Sequence, residues 1–292
     1  MVLRMKWKIS WLITLLVIFL SGCTNFPGIP AGMQKPQTVQ ETHDLIVIED
    51  IRVTPSLVYP DSDITVSFRL KHVGDPKTSE KVEVDVKVYD AGPCKNLRTS
   101  WDNTITLYPQ ETKYLEVELQ APSQDIVAGL PKKCPVRIKL SYTYNAKTQV
   151  EAYVMSENKF KRLEQAGKAP YYSPKQYIGI GPVKIYFEFA QPQPFIARKQ
   201  VTFLVHAKNL GQGDVENKKV NITFNLVGQK KPINCPAATD LQFIKGETRK
   251  VRCTWKPTLG GEEEKTFYLV ATMEYKYVFE KVIDIEVKPL PR

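Results

Sequence analysis

The chain has 292 residues, 42% of them hydrophobic and 25% charged, with a formal net charge of +10. That length allows two ordinary domains with real cores, and the composition is globular, which excludes a low-hydrophobicity disordered chain. Tyr, Val, Thr and Pro are plentiful and Gly is modest, a mix that favours strands over helices. The positive charge is spread through both halves, with local density at 159–175 and 245–256. No aromatic-interleaved basic motif or nucleic-acid module accompanies it, so no nucleic-acid partner is expected. A solvated surface is the plain reading; attraction to an anionic membrane face or an acidic glycan is the sharper one.

The N-terminus opens with Arg4, Lys6 and Lys8, followed by an uninterrupted apolar run of twelve residues, Ile9 to Leu20. Small Ser21 and Gly22 then precede Cys23. This is the layout of a secretory signal peptide over 1–22. A membrane-spanning helix needs ~20 apolar residues to cross about 30 Å, so the run is short for one. An uncleaved signal anchor, extended by Trp7 and snorkelling lysines, is the alternative. The tetrapeptide Leu20-Ser21-Gly22-Cys23 resembles the prokaryotic lipobox at all four positions. The resemblance implies cleavage before Cys23 and a lipid on its sulfur. Residues 23–41, with Pro27, Pro30 and Pro36, then form a tether. Loss of Arg4, Lys6 and Lys8 with the leader lowers the charge from +10 to +7.

Beyond the tether the chain repeats itself. Pro55 in DIRVTPSLVYP matches Pro192 in YFEFAQPQPFI, and FRLKHVG (68–74) matches VHAKNLG (205–211). VEVDVKV (82–88) matches VNITFNL (220–226), and QETKYLEVEL (110–119) matches GETRKVRCTW (246–255). VRIKLSYTY (136–144) matches LVATMEYKY (269–277), down to a Tyr-x-Tyr ending. The spacing drifts only from 137 to 138, then 136, then 133. Five blocks in one order point to a duplicated domain.

In the first copy, 42–155, strands are expected near 45–53, 63–71, 82–90, 103–108, 113–119, 136–144 and 149–155. Val82, Val84, Val86 and Val88 alternate with Glu83, Asp85 and Lys87, so one face packs and the other meets water. Between the copies, at 156–180, SENKFKRLEQAGKAP reads as a short helix with Ser156 as cap and Gly167 as stop. Phe160, Leu163, Tyr171 and Tyr172 either brace the junction or form an exposed aromatic patch for a partner. In the second copy, 181–292, strands are expected near 183–190, 200–208, 219–227, 239–244, 249–255, 266–275 and 278–287. Seven short antiparallel strands per copy give an all-β fold of two tandem immunoglobulin-like sandwiches, each expected to fold alone. The linker helix would mainly set the angle between them.

LKHVGDP and AKNLGQGDV resemble the strand-then-turn of CARDB-type and related prokaryotic immunoglobulin-like modules. With the lipobox, the chain resembles a prokaryotic lipoprotein carrying tandem modules of this kind. Its Lys/Glu/Tyr-rich, Gly-poor style points to an archaeon.

Setting Cys23 aside leaves Cys94, Cys134, Cys235 and Cys253. An even number outside the membrane argues for two disulfides; four buried free thiols is the alternative. Cys94 follows the third strand and Cys134 precedes the sixth, which are antiparallel neighbours in such a sandwich. A bridge within each copy, Cys94–Cys134 and Cys235–Cys253, is the simplest of the three connectivities.

Chemistry is sparse. His43, His72 and His206 sit in no metal-ligand spacing, so no metal or cofactor is expected. Gly179-Ile180-Gly181 reads as a hinge rather than a phosphate loop. Asp61-Ser62-Asp63 offers two carboxylates for Ca²⁺, too few alone. Asn221-Ile222-Thr223 is a glycosylation sequon placed in a strand. There is no G-x-S-x-G and no Cys–His pair left after the disulfides, so no catalytic residues are expected. The sequence thus reads as a non-enzymatic protein on the extracellular face of a cell membrane, held there through an N-terminal lipid or anchor. It would bind or space an extracellular protein or glycan. Alternatives are a structural subunit of an extracellular assembly, such as a pilus or envelope component, or an accessory binding module for an enzyme.

Overall fold

The computed structural model describes residues 43–75, 80–227 and 233–290. The leader, Cys23 and the tether lie outside the described residues. Strands dominate. The first half supplies β1 (Ile46–Thr54), β2 (Asp63–His72), β3 (Val82–Asp90), β4 (Lys95–Thr99), β5 (Thr104–Leu107), β6 (Thr112–Gln120) and β7 (Lys132–Met155). The second supplies β8 (Gln176–Ile178), β9 (Val183–Phe189), β10 (Phe195–Ile196), β11 (Val201–Asn209), β12 (Asp214–Val215) and β13 (Lys219–Val220). It continues with β14 (Thr223–Val227), β15 (Leu241–Ile244), β16 (Glu247–Thr248), β17 (Val251–Trp255) and β18 (Glu264–Val287). The all-β expectation holds.

Two strands depart from the seven-per-copy scheme. β7 and β18 each run 24 residues without a break. The turns expected at 145–148 and 276–277 do not form. The reason lies in the side-chain phase. Tyr142, Tyr144, Ala146, Thr148, Val150, Ala152 and Val154 are all buried, so inward positions recur every second residue straight through the presumed turn. In β18 the phase runs from Phe267 to Tyr277 and resumes at Ile283, Ile285 and Val287. Neither stretch has the Gly, Pro or Asn-Gly punctuation of a hairpin.

β7 and β18 are antiparallel neighbours along their whole length, from Lys132↔Val287 to Met155↔Glu264. This pairing exchanges strands between the halves. The end of β7, expected as the last strand of the first copy, lies beside the start of β18 in the second lobe. The end of β18 lies beside the start of β7 in the first lobe. Two parallel contacts mark the exchanged strands as last strands of their new lobes. Val58 bridges Val287, and β10 pairs with β7 at Val154 and Met155.

Three sheets result. β1-β2-β6-β4 closes the first lobe, and a six-stranded sheet around β11 closes the second. The third, eight-stranded sheet is shared, with β7 and β18 at its centre, β3 and β5 on one side and β14 on the other. The boundaries 42–155 and 181–292 therefore cut through one sheet, and residues 42–292 group as a single compact unit. In the first lobe, Val66, Phe68, Leu70, Val117 and Leu119 pack with Val84, Ile138 and Leu140. The second lobe is aromatic: Phe189–Phe195, Phe189–Phe203 and Trp255–Phe267 lie 5.3, 5.3 and 5.4 Å apart between ring centres.

β4 was not expected; it pairs with β6 as an extra edge strand. The strand expected at 219–227 is split into β13 and β14. Between the lobes, the helix Glu157–Gln165 is capped by Ser156, whose Oγ accepts the Lys159 N–H at 3.3 Å. It buries no residue, so it is not a packed brace. Ion pairs hold it: Arg162–Glu263 at 2.6 Å and Lys159–Glu264 at 2.7 Å.

Candidate functional site

The two Tyr-x-Tyr endings meet at the middle of the β7–β18 pair. Tyr142 stands opposite Tyr277, and Tyr144 opposite Tyr275. The copies are offset by 133 residues here, so Tyr142 corresponds to Tyr275 and Tyr144 to Tyr277. Each tyrosine therefore faces the counterpart of its neighbour, as in a two-fold interface between identical chains. Ring centres are 5.6 Å apart for Tyr142–Tyr277 and 6.3 Å for Tyr144–Tyr275. Burial pushes the hydroxyls of Tyr142, Tyr275 and Tyr277 up, and that of Tyr144 up to about 12. All four are neutral packing groups at physiological pH, and the hydroxyls of Tyr275 and Tyr277 also hydrogen-bond.

This seam is locked by a buried carboxylate. Asp44 is 5% exposed. Its Oδ1 accepts the Tyr277 hydroxyl at 3.0 Å, and its two oxygens accept the Gln212 N–H at 3.2 and 3.1 Å. Tyr277 Oη in turn accepts the Gly213 N–H at 2.7 Å. The start of the first lobe is thus fastened to the second by charge-assisted bonds. A side chain at Gly211 would overlap Asp44 and Tyr277 and come within 2.6 Å of Pro182, so the turn needs glycine.

The turn chemistry explains why one copy has His72 where the other has Asn209. Asn209 Oδ1 accepts the Gly211 N–H at 3.1 Å, and His72 Nδ1 accepts the Gly74 N–H at 2.9 Å. Two different side chains do one job, accepting from the glycine two residues on. His72 is 2% exposed and must keep Nδ1 unprotonated to accept. Burial lowers its pKa. A depressed histidine contributes stability above its unfolded pKa of about 6.5, and that contribution is lost as pH falls towards the folded value. We therefore expect thermal stability to drop as pH falls below about 6.5, by at most ~1.4 kcal/mol per pH unit for one such group. His72→Asn should reduce that slope while keeping the turn, leaving the share of the other buried histidine, His206; thermal melts below about pH 6.5 check it. An unchanged slope would place the titration elsewhere.

The remaining candidates are structural. His206 stacks on Tyr186 at 5.4 Å and lies 3.2 Å from Glu247. Burial lowers its pKa despite that carboxylate and Glu188. Gly179-Ile180-Gly181 is docked rather than a hinge: the Gly179 N–H donates to Lys147 O at 2.8 Å. At Gly181 a Cβ would sit 2.6 Å from the Tyr144 ring. Asp61 and Asp63 flank a turn, and among the described residues no cluster of three or more His, Cys, Asp or Glu could hold a metal ion. Asn221 is exposed and precedes β14 rather than lying within it; its Oδ1 accepts the Asp240 N–H at 2.8 Å. Cys94 and Cys134 are joined at 2.08 Å and Cys235 and Cys253 at 2.06 Å between sulfurs. Among the described residues no helix is long and apolar enough to cross a membrane.

The linker carries exposed aromatics. Tyr171 and Tyr172 are 61% and 42% exposed; Phe160 meets Tyr171 edge-on, and Tyr172 stacks on Tyr153. Of the two readings of this segment, burial in the junction is corrected for Tyr171 and Tyr172, which face solvent.

Neither Asp44 nor the tyrosine seam stood out as a site from sequence, although the repeated Tyr-x-Tyr was its visible trace. Among solved structures, the chain is similar to the D0-D1 domain of Intimin at 11% identity, covering 82% of this chain and 98% of that one, with a TM-score of 0.18. It is similar to the collagen adhesin (CNA) from S. aureus at 10% identity, covering 82% and 92%, with a TM-score of 0.14. Scores this low carry no argument about fold or function. No protein-family model matches the chain, and no curated protein matches its sequence.

Proposed function

We propose that this chain is a non-catalytic cell-surface module, anchored to the membrane through lipid on Cys23, that binds or spaces an extracellular partner. The observation that carries the reading is the seam. The chain emerging from the tether region enters the body at Asp44, which is fastened to Gln212 and Tyr277 of the opposite half. A tether mounted there holds both lobes rather than one. The strand exchange makes the two lobes one body, which suits a spacer or a presenting platform. Two disulfides favour an oxidising compartment, in keeping with the basic-then-apolar leader. Among the described residues His72 and His206 are taken up by turn and packing contacts, which supports a non-catalytic role.

The test is the intact mass of protein extracted from membranes. A chain starting at Cys23 with added lipid is expected, and Cys23→Ala should abolish lipidation. A chain retaining Met5 to Leu20 would establish a signal anchor instead. A second reading, a subunit of an extracellular assembly, is favoured by an open strand edge in the first lobe.

A further inference from the structure

The pseudo-two-fold arrangement is broken at the outer edges of the exchanged strands. In the second lobe the outer edge of the exchanged strand is covered. β8 pairs with β7 at Thr148 to Val150, and Gly179 N–H donates to Lys147 O at 2.8 Å. Lys175 O accepts the Glu151 N–H at 3.0 Å, and Gln193 takes the Tyr153 N–H at 2.7 Å and donates to Glu151 O at 2.6 Å. In the first lobe the equivalent edge belongs to the end of β18. β12 pairs with it at Tyr277 and Val278, and Val58 bridges it at Val287. Between these two contacts, from Phe279 to Glu286, no strand of the described residues lies on that edge.

We propose that this edge accepts an extended, basic polypeptide segment from a partner as an added antiparallel strand. The length is right: eight residues span about 26 Å of strand. The covered edge supplies the template. The outward-bonding residues of β7 are Lys147, Glu151 and Tyr153. With the offset of 133, these correspond to Glu280, Asp284 and Glu286, so even-numbered residues present their N–H and C=O groups outward. The chemistry of the occupant follows from the side chains beside those groups. On the solvent face the edge shows Glu280, Val282, Asp284 and Glu286. Of these acids only Glu280 is ion-paired among the described residues, to Arg137 at 3.2 Å. On the preceding strand, Lys139 stands opposite Glu280 and Lys133 opposite Glu286. Glu280 and Glu286 are thus flanked on the inner side by lysines, while on the open side Glu280, Asp284 and Glu286 would face whatever strand is added, which opposite-charge cross-strand pairing makes basic.

A second copy of this chain fits poorly. Antiparallel self-pairing centred on Val282, Ile283 or Asp284 sets carboxylate against carboxylate, which destabilises a cross-strand pair. On the other face of the sheet the neighbours are Ile283 and Ile285, which calls for aliphatic residues. The partner segment therefore alternates Lys or Arg with aliphatic residues. The assignment deepens the binding-module reading but fails apart from it: losing the edge site leaves the Cys23 mass result untouched.

The experiment is hydrogen exchange by mass spectrometry on the disulfide-bonded chain. The probes are two synthetic eight-residue peptides, blocked at both ends: one alternating lysine and valine, one alternating glutamate and valine. The lysine peptide should slow amide exchange within 280–286, and the glutamate peptide should not. Asp284→Lys combined with Glu286→Lys should reverse the preference by about tenfold. Val282→Pro, which removes an outward N–H while sparing the bonds to β7, should abolish protection by the lysine peptide. No protection, or protection indifferent to the charge reversal, would overturn the proposal. So would full protection of 280–286 without peptide, since the chain would then cover its own edge.

Discussion

Neither half of this chain is expected to fold as a stable monomer when expressed alone, whereas the two together should reassemble. The first half alone would keep Val150, Ala152 and Val154, now fully buried, on a strand with no lobe to cover it. It would also lose Ile283, Ile285 and Val287 from its own core margin. Exposing a Val or Ile side chain costs about 1.5–3 kcal/mol. The five Val and Ile positions among these amount to about 7.5–15 kcal/mol, as much as the whole stability of a typical domain, about 5–15 kcal/mol. Fragments 43–165 and 166–292 should each show poorly dispersed amide spectra, and mixing them should give a 1:1 complex with native-like dispersion. Cutting the intact protein after a protease site inserted at the exposed Ala166-Gly167 turn should leave the pieces associated. Two sharply folded, independent halves would show that the lobes are separable.

The second large effect should come from one oxygen atom. Tyr277→Phe removes the hydroxyl that donates to Asp44 and accepts from Gly213. A half-buried N–H and a buried carboxylate are each left short of a partner. Unsatisfied buried groups cost about 1–3 kcal/mol each, more when charged, so a loss of about 2–4 kcal/mol is expected. Tyr144→Phe serves as the control, because Tyr144 contributes ring contacts with Tyr275 and Gly181; it should cost under ~1 kcal/mol. Equilibrium denaturation of both variants distinguishes them. A double-mutant cycle with Asp44→Asn should return a coupling above ~1 kcal/mol. Equal, small losses for the two phenylalanine variants would remove the seam's special role.

Much of the fold is legible in the sequence, and the reason is periodicity. Val82, Val84 and Val86 alternate with charged residues and do form an inward-facing row on β3. The strands expected near 63–71 and 113–119 form at Asp63–His72 and Thr112–Gln120, where apolar alternation and flanking Pro and Asp mark them clearly. The strand exchange was harder to see. Counting strands per copy against an immunoglobulin template forces a turn where none exists. Yet the unbroken alternation from Tyr142 through Ala146 and Thr148 to Val154 already argues against one. Which strand that long segment pairs with is a choice between two lobes of related strand order, and the duplicated blocks offer no local signal to decide it.

The site is less legible than the fold. Asp44 looks like any acidic residue before a strand, and its burial depends on Gln212 and Tyr277, far away in sequence. The equivalence of His72 and Asn209 is likewise invisible as chemistry until both are seen accepting from a glycine two residues on. The open edge of β18 is a property of what is missing beside a strand, which no pattern within that strand encodes.

The central claim is that the halves exchange their last strands. Backbone nuclear Overhauser contacts in the deuterated, amide-labelled protein test it most directly. The account predicts cross-strand contacts between residues 139–141 and 278–280 and between residues 149–151 and 268–270, in one monomeric species. Contacts of 149–155 with 136–144, and of 278–287 with 266–275, would instead mean that each copy keeps its own last strand, and would contradict the exchange.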